Sequence, residues 1–284
     1  MKQIIRITFV MMSFMVGIFA QADKAMDAYN QGLKLQGNGD QAGAMLAYDR
    51  AISLSPNFAL PYNNRANIRI ANGDLTGAIA DYSKFIKLSP DDPLAFYNRG
   101  NIYLDKSEWD AAIVDYSKAI DIMNGLTNKY DKQAHVLSYN NRGNCYIEKG
   151  DFKSALADYN RALEIQPNTF EALTGRGSAR EQMKDYAGAV ADYTKAINLS
   201  PKSALVLMNR AGAFEEIDKT ASIADYTKVL ELEPKNAEAY ARRGVLLLEK
   251  GNKSAGIADL QKAIALDGSL KADYEPLLKN ATKN

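Results

Sequence analysis

The sequence predicts an all-α fold: an α-solenoid of seven helix-turn-helix units closed by a C-terminal capping helix. Three observations carry that prediction. A marker residue returns at a nearly constant interval: Tyr48, Tyr82, Tyr116, Tyr159, Tyr193, Tyr226 and Leu260 are separated by 34, 34, 43, 34, 33 and 34 residues. A period of this size means one supersecondary unit copied and stacked, rather than a chain folded around one central core. Within each period, positions 1–14 and 18–31 carry apolar residues at helical intervals. Between the two stretches stands Gly-Asp or a near variant (Gly39-Asp40, Gly73-Asp74, Gly150-Asp151), and Pro56, Pro90, Pro167, Pro201 and Pro234 close most periods.

The elements follow in chain order. Lys2 and Arg6 precede an almost wholly apolar run from Ile7 to Phe19, and then Ala20-Gln21-Ala22. That is the form of a secretory signal over 1–22, cleaved before Asp23. It predicts an exported protein, periplasmic or extracellular, with a bacterial style of signal. The run is short for a membrane span, so membrane association is expected only if the segment is kept as an anchor. Without Lys2 and Arg6, 33 basic residues face 34 acidic ones.

The solenoid is expected over 23–284, with units at 25–58, 59–92, 93–126, 136–169, 170–203, 204–236 and 237–270. Small residues recur at unit position 8 (Gly32, Ala66, Gly100, Gly143, Gly177, Ala211, Gly244), and mostly also at positions 20 and 27. They let the two helices of a unit approach closely. The tyrosine at position 24 fills space against the next unit. Glycine stops the first helix, aspartate caps the second, and proline forbids its continuation. Two units are irregular. The 43-residue step marks an insertion at 125–135, expected to lengthen the flanking helices or to make a ledge, with His135 at its end. Unit 6 is one residue short in its turn, near Asp218 to Ala221. A capping helix is predicted over 269–280 from the stripe Leu270, Tyr274, Leu277 and Leu278, with Ser269 as N-cap and Pro276 kinking it or delaying its start.

Composition limits the function. Thirty-five basic and 34 acidic residues leave no cationic surplus of the kind phosphate backbones require, so nucleic acid is not an expected partner. One cysteine, Cys145, and one histidine, His135, exclude an intramolecular disulfide and weigh against a zinc site. Cys145 fits a small buried residue better than a reactive thiol. Arg99-Gly100 and Arg142-Gly143 lie inside helices, so no phosphate loop is present. No nucleophile has a histidine base beside it. No enzyme activity and no cofactor are expected.

Arginine fills position 7 in six units (Arg65, Arg99, Arg142, Arg176, Arg210, Arg243), and aspartate fills position 23 in the same six (Asp81, Asp115, Asp158, Asp192, Asp225, Asp259). Unit 1 lacks both, with Gln31 and Ala47. Because they come and go together, they are expected to pair, within a unit or across neighbours. A buried charge needs a partner. The competing reading is an arginine ladder that grips an acidic ligand.

Asparagine recurs at position 6 (Asn30, Asn64, Asn98, Asn141, Asn209) and at position 9 (Asn67, Asn101, Asn144), and Asn63 and Asn140 widen the patch. Positions three apart share a helix face. Helix propensity does not explain such a row. A carboxamide offers two donors and an acceptor, so the row could hold the backbone of an extended chain. The alternative is that each asparagine bonds a neighbouring helix and stiffens the stack. In units 5 to 7 the same face turns acidic, through Glu171, Glu181, Glu215, Glu216, Glu238 and Glu249, with Arg242 the only opposing charge expected. That end would favour a ligand with a basic stretch.

This pattern resembles the tetratricopeptide repeat: Gly or Ala at 8, Ala at 20, Tyr at 24, Ala at 27 and Pro at 32, over residues 25 to about 270. The resemblance implies a right-handed superhelix whose first helices line a concave groove that binds an extended peptide or a partner helix, with position-6 asparagines on the ligand backbone. Some relatives clamp a C-terminal carboxylate with Lys and Arg set among such asparagines; units 1 to 4 lack those cations, which argues against this mode. The sequence therefore points to a non-enzymatic scaffold for a protein or peptide partner. Its alternative is a structural component that bridges a cell-envelope assembly through its ends and convex face. The oligomeric state is left open.

Overall fold

A computed structural model describes residues 21–125 and 132–283. The apolar leader and the centre of the insertion, both singled out above, lie outside the described residues. The helices come in pairs: α1 (21–37) with α2 (Gln41–Leu54), α3 (Leu60–Ala71) with α4 (Leu75–Leu88), and α5 (Pro93–Asp105) with α6 (Trp109–Gly125). Then come α7 (Lys132–Glu148) with α8 (Phe152–Ile165), α9 (Phe170–Gln182) with α10 (Tyr186–Leu199), α11 (Ala204–Glu215) with α12 (Lys219–Leu232), and α13 (Ala237–Glu249) with α14 (Lys253–Leu266). A 3₁₀ turn, Gly268–Leu270, leads into α15 (Lys271–Lys283). The chain forms two bodies, one ending at Ala134 and one beginning at His135. No strand occurs among the described residues, and no helix there is long and apolar enough to cross a membrane.

In the first body each of α2, α4 and α6 is reached by neighbouring first helices in chain order, and in the second body the same alternation runs from α8 to α15. This is solenoid packing, in which a helix pair buries its apolar stripe only against its neighbours. All six marker tyrosines are buried. Each ring occupies the hollow that the small residue at position 8 of its own unit leaves open. A Cβ added at Gly177 would stand 2.6 Å from Cε1 of Tyr193, closer than packed atoms tolerate. The same tyrosine layer also meets the following unit: a Cβ at Gly175 would stand 2.5 Å from Cζ of Tyr159. The ring is thus a spacer inside its own pair as well as against the next.

The turns inside the pairs explain the Gly-Asp signature. Gly39, Gly73, Gly150 and Gly251 take positive φ, from 73° to 84°. Asp40, Asp74, Asp151, Asp185 and Asp218 then cap the second helices by accepting backbone N–H bonds, and Asn252 does so for α14. These bonds satisfy N–H groups left without partners in a first turn. Ser107 and Lys184 occupy the same left-handed position in units 3 and 5, at φ 58° and 63°.

The irregular units are absorbed locally. Both helices beside the insertion reach 17 residues, against 12 to 14 for the other helices from α2 to α14. The missing residue of unit 6 falls between α11 and α12. At the C-terminus Asp267, not Ser269, is the cap: its carboxylate accepts from both the backbone N–H and the hydroxyl of Ser269. A carboxylate outcompetes a hydroxyl as acceptor, so Ser269 becomes a donor inside the 3₁₀ turn. The helix proper starts two residues later than expected and holds Pro276 in its interior.

Lys184→Gly removes a left-handed backbone strain of about 1–2 kcal/mol, part of which is offset by the extra freedom of glycine in the unfolded chain. A net gain of about 0.5–1 kcal/mol is expected in urea melts, whereas Gly251→Ala is expected to lose stability.

Candidate functional site

The six arginine–aspartate pairs all form, each within one unit, from the first helix to the second. Nε lies 2.7–2.8 Å from one carboxylate oxygen and Nη2 lies 2.6–2.9 Å from the other. These are two-pronged, charge-assisted contacts. The aspartates are 1–8% exposed, so the arginines are committed to the stack and no ladder is open to an acidic ligand. In unit 6 the pair is 15 residues apart instead of 16 and keeps the same geometry. Burial pushes the Asp158 carboxyl up, against the pull of the Arg142 guanidinium; desolvation outweighs attraction here, the cost that buried ion pairs carry.

The third guanidinium nitrogen makes a contact that sequence reasoning missed. Nη1 of Arg99, Arg176, Arg210 and Arg243 donates to Ser83, Asn160, Thr194 and Thr227 of the preceding second helix, and Arg65 does so to Asp49. The signal was available: position 25 holds a hydrogen-bonding side chain in every unit. Arg69 and Arg180 add a second cation to Asp81 and Asp192, each at 2.7 Å.

The asparagines are wired to the tyrosine hydroxyls. Tyr82 donates to Oδ1 of Asn67, Tyr116 to Asn101 at 2.7 Å, and Tyr159 to Asn144 at 2.7 Å. Where position 9 is not asparagine the hydroxyl turns to position 12: Tyr48 to Gln36 at 2.6 Å, Tyr193 to Glu181 at 3.0 Å, and Tyr226 to Glu215. On the acceptor side, Nδ2 of Asn64 in the next unit donates to the Tyr48 hydroxyl at 3.4 Å and to Tyr29 at 3.3 Å. Asn98 and Arg242, also at position 6, lie beside Tyr82 and Tyr226 and lower the cost of ionising their phenols. Burial raises the Tyr82 phenol to about 12, so it stays a proton donor throughout the physiological range. The stiffening role considered for the asparagines is thus real for Asn64, Asn67, Asn101 and Asn144, and the Asn64 oxygen in turn accepts from Nδ2 of Asn63 at 3.2 Å.

The remaining predicted residues divide. Asn30 and Asn67 are exposed, and Asn63, Asn64, Asn98, Asn101, Asn141, Asn144 and Asn209 are partly exposed. Asn140 is a correction: it is 5% exposed and cannot widen an open patch, because in unit 4 position 5 turns into the packed layer, whereas Asn63 at the same position of unit 2 stays partly exposed. His135 stacks on Tyr139, with ring centroids 5.1 Å apart, and burial lowers its pKa. Cys145 is fully buried and its thiol is pushed up to about 11 by desolvation, which makes it a poor nucleophile.

In the second body two adjoining clefts open on the first helices. One, of 890 Å³, runs between α11, α13 and the turn into α15, and includes Glu215, Glu216, Glu238 and Glu249. The other, of 370 Å³, includes Glu181 and Asn209, and the two share Glu238 and Arg242. Glu171 belongs to neither cleft. Arg242 is not the only opposing cation: Lys219 reaches Glu249 at 2.8 Å, while Arg242 pairs with Glu238 at 2.9 Å and Glu215 at 3.4 Å.

Tetratricopeptide repeat models match residues 47–80, 93–122, 136–169, 170–203 and 225–258, and a TPR repeat model matches 66–107. The chain belongs to the tetratricopeptide repeat family. No curated protein matches this repeat protein closely enough to report. Among solved structures it is similar to a tetratricopeptide repeat protein from Parabacteroides merdae, at 22% identity and TM-score 0.60 over 92% of this chain and all of that one. It is also similar to YrrB, described as a TPR protein with an unusual peptide-binding site, at 22% identity and TM-score 0.58 over 68% of this chain and 95% of that one. MamA aligns at 20% identity and TM-score 0.56 over 66% of this chain and 97% of that one. At these identities the likeness is one of fold.

Asp192→Ala leaves Arg176 and Arg180 without their buried acceptor. A loss of about 3–5 kcal/mol is expected from chemical denaturation; a loss under about 1 kcal/mol, the range of exposed pairs, would mean the fork is not structural.

Proposed function

We propose that this repeat protein is a non-enzymatic scaffold that holds an extended or helical segment of a partner protein against its first helices, in the periplasm or outside the cell. One observation carries the reading. In units 1 to 3 the first helices present the same unburied stripe at positions 2, 6 and 9: Met26, Asn30 and Leu33, then Leu60, Asn64 and Asn67, then Leu94, Asn98 and Asn101. Spacings of four and three residues put each set on one helix face. Leucines 42–45% exposed, beside carboxamides held by tyrosine hydroxyls, combine apolar anchoring with backbone-type hydrogen bonding. Those are the two ingredients of peptide recognition in a helical groove. Membership of the family, and the peptide-binding site named for YrrB, support the same reading.

A structural role, bridging components of a cell-envelope assembly through the outer face, has its own support. Leu46 and Val114, both at position 22 of second helices, are 71% and 67% exposed. A concentration-dependent oligomer in light scattering, abolished by Leu46→Ser with Val114→Ser, would favour it.

The groove reading is tested by panning a displayed random-peptide library on the intact protein and titrating the selected peptides calorimetrically. Leu60→Ser with Leu94→Ser is expected to weaken binding about tenfold or more, some 1.4 kcal/mol, with the melting temperature unchanged. Unchanged affinity in that variant and in Asn98→Ala would sink the groove.

A further inference from the structure

The acidic turn of the stripe in the second body has more to it than a change of sign. At positions 2, 6 and 9, unit 6 offers Leu205, Asn209 and Gly212, and unit 7 offers Glu238, Arg242 and Val245. Leu205 is 68% exposed, among the most exposed large apolar side chains of the chain. Gly212 leaves the Glu181 carboxylate open above it, with Oε1 3.6 Å from where a Cβ would stand. The larger cleft holds five carboxylates, Glu215, Glu216, Glu238, Glu249 and Asp267, against Lys219 and Arg242. Both cations are already engaged, by Glu249 and by Glu238 with Glu215. Glu181 differs from the six buried aspartates in having no arginine fork: its bonded partner is the Tyr193 hydroxyl, Arg242 attracts it only from a distance, and burial pushes its carboxyl up. A half-buried carboxylate held by a neutral donor gains most from a cation placed beside it.

We propose that the face formed by α11, α13 and the turn into α15 is a docking groove for a cationic amphipathic segment of a partner protein. Its Lys or Arg side chains lie against Glu181, Glu216 and Glu238, and its apolar side chains lie on Leu205 and Val245. This rests on the groove reading above and names the partner chemistry for the first-helix face of the second body. Charge complementarity selects the occupant. Nucleic acid and acidic segments are repelled by the five carboxylates. A bare metal ion is disfavoured, since among the described residues no three His, Cys, Asp or Glu side chains come together to hold one. A side-chain cation needs no such convergence, and the apolar floor beside the carboxylates matches the stems and neighbours of lysine and arginine.

The test uses the whole protein and three fluorescein-labelled peptides of about 14 residues, built on alternating Lys-Leu, Gln-Leu and Glu-Leu, followed by fluorescence anisotropy. The Lys-Leu peptide is expected to bind about tenfold or more tighter than Gln-Leu at about 50 mM salt, and to lose that preference as salt screens the groove. Glu216→Gln with Glu238→Gln, both exposed, is expected to abolish the preference. Glu231→Gln, exposed on α12 and outside both clefts, is expected to keep it. Equal affinity for Lys-Leu and Gln-Leu, or a Glu231→Gln effect as large as that of the cleft pair, overturns the proposal. If Gln-Leu binds, is lost in Leu60→Ser with Leu94→Ser, and Lys-Leu binds no better, the groove reading stands and this inference falls. If none of the three binds, this inference falls, and the groove reading is judged by the peptides that panning selects.

Discussion

The stack depends on a guanidinium that is mostly covered and clasps a buried carboxylate. Each arginine at position 7 binds its own second helix through two nitrogens, and where the contact is resolved it reaches the preceding second helix through a third. One residue therefore fixes both the angle within a pair and the seat of that pair on its neighbour. Planarity makes this possible: a lysine's compact ammonium has three donors at one point and lacks the wide planar fork that grips both carboxylate oxygens while reaching the neighbouring helix. The arrangement also explains the tolerance of unit 6, whose shortened turn leaves the fork unchanged because the deletion falls outside the two helices that carry it.

With the charges of positions 7 and 23 consumed inside the stack, the open side of the first helices is left to the tyrosine hydroxyls. Their acceptor changes along the chain. Asparagine at position 9 serves units 2 to 4, and a glutamate at position 12 serves units 5 and 6. The same hydroxyl that stiffens the packing thereby holds a carboxamide on one stretch and a carboxylate on another. The periodic residues build the frame, and the residue that accepts from the frame decides which chemistry faces a partner.

Much of this was legible in the sequence. The period identified the pairs, Gly-Asp identified the turns, and the joint absence of arginine and aspartate from unit 1 pointed to their pairing, though not to its two-pronged form or to its staying within one unit. What stayed hidden depends on direction and competition. Periodicity places Asn140 near a face but not which way position 5 turns. A serine in front of a helix suggests a cap, yet Asp267 two residues earlier is the better acceptor. Lys219 sits at the start of a second helix, outside the pattern that marks the first-helix face, so its reach to Glu249 could not be inferred from spacing. The Nη1 contacts could have been, since position 25 is polar in every unit, but a polar residue there also fits a solvated surface.

The claim that the fork is structural is tested most directly by a double-mutant cycle on Arg210 and Asp225, using Arg210→Met, Asp225→Leu and the double variant in urea melts fitted with a nearest-neighbour repeat model. The account predicts that the double variant is less destabilised than the sum of the singles by about 2 kcal/mol or more, because each single change strands a buried charge that the double change removes. Additivity within about 0.5 kcal/mol would contradict it, and would return the arginines to the list of groups available for a ligand.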